Sequence, residues 1–239
     1  VNVEVEVGSQ DALAHRFRER FRTLLDAAVA RRGRFCWALP GGSAAEAFLP
    51  ALAGTLVDWK RVDHFWGDER AVKPDHADSN YALARRLLLD RVDVDPGRVH
   101  RIPADSPDLS RAAEAYAEAL IGTLGDPPRL DLALLGVGPD GHVCSLFPGH
   151  PVLAEMSRWV APLSDSPKPP PGRITLTRRA LAEAEVVCVA AFGEAKAEVV
   201  RAALEDPVSP LPVSMVAREA RRVLFLLDPA AAGRTPRAS

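Results

Sequence analysis

The sequence predicts an α/β fold, with a mostly parallel sheet covered by helices on both faces. Short apolar runs alternate with segments whose apolar residues recur at helical spacing, the pattern of strand–helix–strand units. Most of those runs are continuously apolar, as strands buried on both faces require. The 239 residues show no internal repeat and suit one α/β domain. We place that domain at 1–227, with a frayed tail over 228–239.

Residues 1–7 alternate valine with polar residues, mostly glutamate, and read as a half-exposed strand. Leu13, Phe17, Phe21, Leu24, Leu25 and Ala28 follow helical spacing over 11–32, with Arg31, Arg32 and then Gly33 at the end. Residues 35–39 form a short apolar strand that runs into Pro40-Gly41-Gly42-Ser43. Ser43 and Glu46 have the spacing of a capping box, so a helix is expected over 44–53. A strand is expected at 62–66, a polar loop at 68–78, and a helix capped by Asp78 or Ser79 that runs to Leu89. Beyond it come a short strand at 99–102, a helix at 112–124 and a strand at 130–137. Residues 159–162 and 174–177 are strand-like. Between them, Pro167, Pro169, Pro170 and Pro171 make 164–172 an extended loop. A short helix follows 177. A strand at 186–191, a helix at 194–205 and a strand at 223–227 complete the pattern.

Lys and Arg total 30 against 32 Asp and Glu, a net charge of −2. This balance argues against a dedicated nucleic-acid binder, which usually has a strongly basic face, but permits a small anionic ligand. There is no apolar run long enough to span a membrane. The first residues lack the cationic and apolar regions of a signal peptide. Cys36, Cys144 and Cys188 are dispersed and show no zinc-type spacing. A reduced, cytoplasmic setting is expected, with no membrane partner.

Ligands of open α/β sheets bind outside the carboxyl ends of the strands, and four segments place glycines and polar or ionisable residues there. Gly41-Gly42-Ser43 offers backbone N–H groups at a helix N-terminus, suited to a phosphate; a plain strand–helix turn is the other reading. Gly67-Asp68-Glu69-Arg70 supplies a guanidinium able to fork onto phosphate oxygens, or else a solvated local ion pair. The turn from Gly136 to His142 holds Asp140 and His142 two residues apart. A neutral imidazole there can take a proton from water while a carboxylate fixes its tautomer; a loop histidine bonded to backbone is the alternative. In Gly193-Glu194-Ala195-Lys196, a lysine in a first helical turn calls for an anion. Arg173 is a further candidate cation, or a surface residue. His64 reads as a packed strand residue and Cys144 as a small buried one.

These residues resemble the 6-phosphogluconolactonases. The resemblance is carried by Leu39-Pro40-Gly41-Gly42-Ser43, by Trp66-Gly67-Asp68-Glu69-Arg70 with Asp78-Ser79-Asn80-Tyr81, by the run from Leu135 to Gly149, and by Gly193-Glu194-Ala195-Lys196. It implies a Rossmann-like three-layer fold and hydrolysis of 6-phospho-D-glucono-1,5-lactone, the second step of the oxidative pentose phosphate pathway, with no cofactor and no metal. The related glucosamine-6-phosphate deaminases carry a Glu five residues after the histidine, where this chain has Phe147. A deaminase-like enzyme and a non-catalytic sugar-phosphate sensor are the alternatives. On the lactonase reading, His142 activates water and Asp140 orients the ring or bonds the sugar. Gly41, Gly42, Ser43, Arg70, Arg173 and Lys196 hold the phosphate, Asp68 and Asn80 contact sugar hydroxyls, and backbone N–H groups of the glycine loops receive the oxyanion. The expected partner is a small sugar-phosphate lactone, and the expected state a monomer or weak homodimer.

Overall fold

The computed structural model describes residues 2–233. The chain runs through β1 (Asn2–Val7), α1 (Gln10–Arg32), β2 (Phe35–Leu39), α2 (Gly42–Ala53), β3 (Val62–Trp66), β4 (Asp68–Arg70), α3 (Asn80–Leu87), α4 (Leu109–Leu124) and β5 (Leu132–Gly136). It continues through β6 (Val160–Leu163), β7 (Arg173–Leu176), α5 (Arg178–Glu183), β8 (Val187–Ala191), α6 (Ala197–Glu205), α7 (Pro212–Glu219), β9 (Arg222–Leu227) and α8 (Pro229–Ala232). Six strands form one sheet in the order β1-β9-β8-β5-β2-β3, and every pairing in it is parallel. Strands β4, β7 and β6 form a second, antiparallel sheet.

The elements follow from the side chains. Every residue of β2, β3 and β8 is buried, as their unbroken apolar character requires; in β3 the exceptions are Asp63 and His64, and both are partnered. Strand β1 lies at the sheet edge: Val3 and Val7 are exposed, Val5 packs partly against the core, and Glu4 and Glu6 pair with Arg20 of α1 at 2.9 and 3.1 Å. Helix α1 starts where Ser9 Oγ accepts the Ala12 N–H and stops at Gly33, whose φ of 77° is a left-handed cap. Its stripe of Leu13, Phe17, Phe21, Leu25 and Ala28 is buried. Phe21 meets Phe35 and Trp37 edge-on at 5.1 and 4.9 Å, so truncating it to alanine costs about 3–5 kcal/mol.

Several expectations need correction. The polar segment after Gly67 begins with a strand, β4, because its backbone pairs with distant β7. Helix α2 begins at Gly42 with Gly41 as its N-cap and no side-chain cap; the Ser43–Glu46 capping box does not form. The strand expected at 99–102 is a single bridge from Val99 to His64, with Pro96 and Pro103 on either side unable to donate to a ladder. Helix α7 lies in 206–222, a stretch for which no element is expected; its Pro212 occupies the first turn, where no N–H is needed. The tail is ordered as far as Gly233. Asp228 caps α8 by accepting from Ala231 N at 2.7 Å, also receives Gly193 N at 3.0 Å, and Ala231 is fully buried. The rest of the expected frayed tail, 234–239, lies outside the described residues.

The chain leaves β2 toward β3 on one side, whereas β5, β8 and β9 build outward on the other. Strand order therefore reverses between β2 and β5, the place where an open α/β sheet opens a crevice at its carboxyl edge.

Candidate active site

A cleft of about 180 Å³ lies at this reversal. Gly41, Gly42, Ser43, Asp68, Arg70, Asn80, His142, Arg173 and Lys196 all line it, together with Gly138 and Cys144. Of the candidate site residues, only Asp140 is not in the wall; it stands behind His142.

The turn after β5 is built to hold the histidine. Gly138 N donates to His142 O at 2.9 Å and Gly141 N to Gly138 O at 2.9 Å. A Cβ on Gly138 would fall 1.9 Å from His142 Nδ1 and 2.4 Å from Asp140 Oδ1, so glycine is required for the ring to occupy its place. His142 Nδ1 lies 2.5 Å from Asp140 Oδ1. Burial raises the Asp140 carboxyl, but the His142 ring and the Lys168 ammonium outweigh it and hold the group at about 2. Asp140 is therefore ionised at neutral pH and can only accept. Nδ1 must carry the ring proton, which leaves the Nε2 lone pair free to act as a base. Burial lowers the His142 pKa, Asp140 opposes this, and Lys168 adds to the lowering. The Phe147 ring packs 5.0 Å from the imidazole.

Around the rest of the cleft, side chains from remote segments converge. Gly42 adopts φ 56°, a left-handed conformation that glycine enters readily. The first N–H groups of α2 have no intrahelical acceptors and no side-chain cap, and they open on the cleft. Ser145 Oγ donates to Asp68 Oδ2 at 2.6 Å, and Asn80 Nδ2 to Asp68 Oδ1 at 3.2 Å. Arg70 Nη1 donates to Asp78 O at 2.6 Å. Among the described residues, Arg70 Nε and Asn80 Oδ1 are buried without a hydrogen-bond partner, which leaves polar capacity for a ligand. Lys196 closes a 3-10 turn (Glu194–Lys196) and donates to Val137 O at 2.7 Å; burial and nearby Lys168 lower its pKa.

Two candidates differ from expectation in how they are bonded. Arg173 is buried, and Nε and Nη2 donate to the carbonyls of Pro170, Lys168 and Pro169 at 2.9–3.2 Å. Nη1 is the nitrogen that faces Asp68, at 3.8 Å. The N–H groups of Gly138 and Gly141 are used inside their own turn, so the oxyanion donors expected from the glycine loops reduce to the α2 N-terminus. His64 is fully buried and accepts from Trp37 Nε1 at 3.0 Å, the packed role expected; burial pulls it down to about 3. Cys144 is half-buried at the cleft wall, and burial pushes its thiol well above the ordinary range, which disfavours a thiolate nucleophile.

Sequence reading missed Lys168, Ser145 and the role of Glu69. Glu69 accepts from the N–H groups of Arg70, Asn80 and Tyr81, each at 2.8 Å, and from Ser79 Oγ at 3.0 Å. It fixes the N-terminus of α3 and thereby Asn80. A lysine set among prolines was the one available signal for Lys168; the partners of Ser145 and Glu69 left no local signature.

Fold and cleft together define a class: an α/β protein with a carboxylate-oriented histidine and a cationic cleft at the carboxyl edge of its sheet. The family model for glucosamine-6-phosphate isomerases/6-phosphogluconolactonase matches residues 8–225, and the chain belongs to this family. It is 41% identical to the 6-phosphogluconolactonase of Streptomyces coelicolor, covering 95% of this chain and 92% of that protein. It is 45% identical to the 6-phosphogluconolactonase of Rattus norvegicus, covering 84% and 80% respectively. The crystal structure of 6-phosphogluconolactonase from Thermotoga maritima superposes with a TM-score of 0.84 at 26% identity, over 95% of this chain and all of that one.

Proposed function

We propose that the cleft hydrolyses 6-phospho-D-glucono-1,5-lactone to 6-phospho-D-gluconate with water activated by His142. Lactone hydrolysis, the second step of the oxidative pentose phosphate pathway, is the activity for which the relatives are named, and at this identity and coverage the chain carries it. The observation that supports the mechanism is the 2.5 Å Asp140–His142 contact, set in a cleft that also holds an uncapped helix N-terminus and three cations.

On this reading His142 Nε2 removes a proton from water as the oxygen attacks the C1 carbonyl. Asp140 stabilises the imidazolium that forms. The tetrahedral oxyanion collapses and breaks the bond from C1 to the ring oxygen, and the imidazolium protonates that oxygen. The products are the open-chain carboxylic acid, which loses its proton to solvent, and a free neutral histidine. The first-turn N–H groups at Gly42 and Ser43, with Arg70, Lys196 and the free face of Arg173, bind anionic oxygens; Asp68 and Asn80 take sugar hydroxyls. These steps need no metal and no cofactor. General-base help of about 10²–10⁴-fold added to positioning suffices for a lactone that already opens slowly in water.

The reading also includes a single domain, which takes in α8 beyond the boundary expected at 227, a cytoplasmic monomer or weak homodimer, and no nucleic-acid or membrane partner. The near-neutral charge supports the lack of a nucleic-acid partner, and among the described residues no helix is long and apolar enough to cross a membrane. The test is turnover by the purified chain. Lactone opening well above the spontaneous rate, with no ammonia from glucosamine 6-phosphate, is the expected result. Ammonia release without lactone opening overturns the reading in favour of a deaminase, and binding without turnover in favour of a sensor.

A further inference from the structure

The loop 164–172 reaches the catalytic pair. The Lys168 ammonium lies 3.2 Å from Asp140 Oδ1, 3.1 Å from Asp140 Oδ2 and 3.1 Å from His142 Nδ1. Because Nδ1 carries a proton and an ammonium has only donors, the lysine bonds the carboxylate and not the ring. It bridges both carboxylate oxygens while the imidazole holds one.

The loop is fastened, so the backbone that carries Lys168 is fixed. Ser166 N donates to Pro171 O at 3.0 Å, Ser166 Oγ to Lys168 O at 2.8 Å, and Lys168 N to Ser166 Oγ at 3.2 Å. Arg173 gathers the carbonyls of Lys168, Pro169 and Pro170 from the other side. Each proline fixes its own φ. Solvated surface pairs contribute little because two long side chains must be ordered; here one partner, Asp140, is short and is already held by His142.

A carboxylate bonded to an imidazole favours the imidazolium. Left alone, Asp140 would hold His142 protonated to higher pH and weaken it as a base at neutral pH. A second cation on the same carboxylate opposes this. The charged groups acting on the ring are Asp140 from its own turn, Lys168 from the loop and Asp68 from β4; Lys168 and Asp140 in turn act on the Lys196 ammonium.

We propose that Lys168 is a positioning residue for the base: by bridging Asp140 it fixes the carboxylate against His142 and keeps the imidazole neutral at the pH of turnover. This rests on His142 being the base. The test compares wild type with Lys168→Met and Lys168→Arg by two readouts, the pH profile of kcat/KM and the NMR titration of the His142 Cε1–H, assigned by its loss in His142→Gln. In Lys168→Met both midpoints move to higher pH, by about one unit, while Lys168→Arg keeps them near wild type. Midpoints that stay in place in Lys168→Met overturn the proposal, even if kcat falls. Should Lys168→Met fail to fold, Lys168→Gln provides the same uncharged comparison. The NMR titration needs no activity, so it still judges Lys168 if His142→Gln turns out fully active and the general-base reading fails.

Discussion

Arg70 and Arg173 stand directly opposite one another across the antiparallel β4–β7 pair. Like charges in that position repel, and burial together with Arg70 lowers the Arg173 pKa, against the pull of Asp68. The two guanidinium groups take different partners, Arg70 the Asp78 carbonyl and Arg173 the proline-loop carbonyls. Pairing two cations at the cleft wall is unfavourable for the empty fold and useful for binding an anion.

Arg70→Met should therefore separate binding from stability. The expected KM rises at least about tenfold, the loss of one charge-assisted contact, while the melting temperature holds or rises slightly. An unchanged KM would remove Arg70 from the phosphate site.

Gly138→Ala should abolish most of the activity without unfolding the chain. The new methyl would sit 1.9 Å from His142 Nδ1, so the ring must leave the turn. Circular dichroism and kcat measured together check this; near-normal turnover would mean that the turn relaxes freely.

Glu69→Ala acts on stability first. It strips four donors around the start of α3 of their acceptor, and the two in fully buried bonds, Ser79 Oγ and Asn80 N, left unpaired cost on the order of 3 kcal/mol together. Denaturant unfolding reads the loss. A change below about 0.5 kcal/mol, the ordinary range for a surface substitution, would mean that water replaces the carboxylate.

The acid limb of kcat/KM should lie below the ordinary imidazole value of about 6.5. Burial, with Lys168 adding to it, lowers the folded His142 pKa against the pull of Asp140. The neutral base is thus populated at lower pH than in a free histidine, and activity rises with pH and levels off by neutrality. A limb centred above 7 would contradict the balance of charges described.

Much of this architecture is legible in the sequence, and the misses share a cause. Strands β2, β3, β5, β8 and β9 announce themselves as mostly apolar runs, and the glycines and charges at their ends mark the cleft edge. Asp68, Glu69 and Arg70 read as a solvated turn because what makes them a strand is β7, about a hundred residues further on. Lys168 stands out in sequence only as a lysine among prolines, because its partners lie 26 and 28 positions earlier. Ser43 and Glu46 erred the other way: a local capping motif yielded to an α2 N-terminus that starts earlier at Gly42 and stays open to the cleft.

The proposed mechanism turns on His142 as the base. Its most direct test is the steady-state rate of lactone opening by His142→Ala against wild type, corrected for spontaneous hydrolysis, with binding of 6-phosphogluconate measured alongside. A kcat at least about a hundredfold lower, with product affinity retained, is expected. A variant that keeps the wild-type kcat would contradict it.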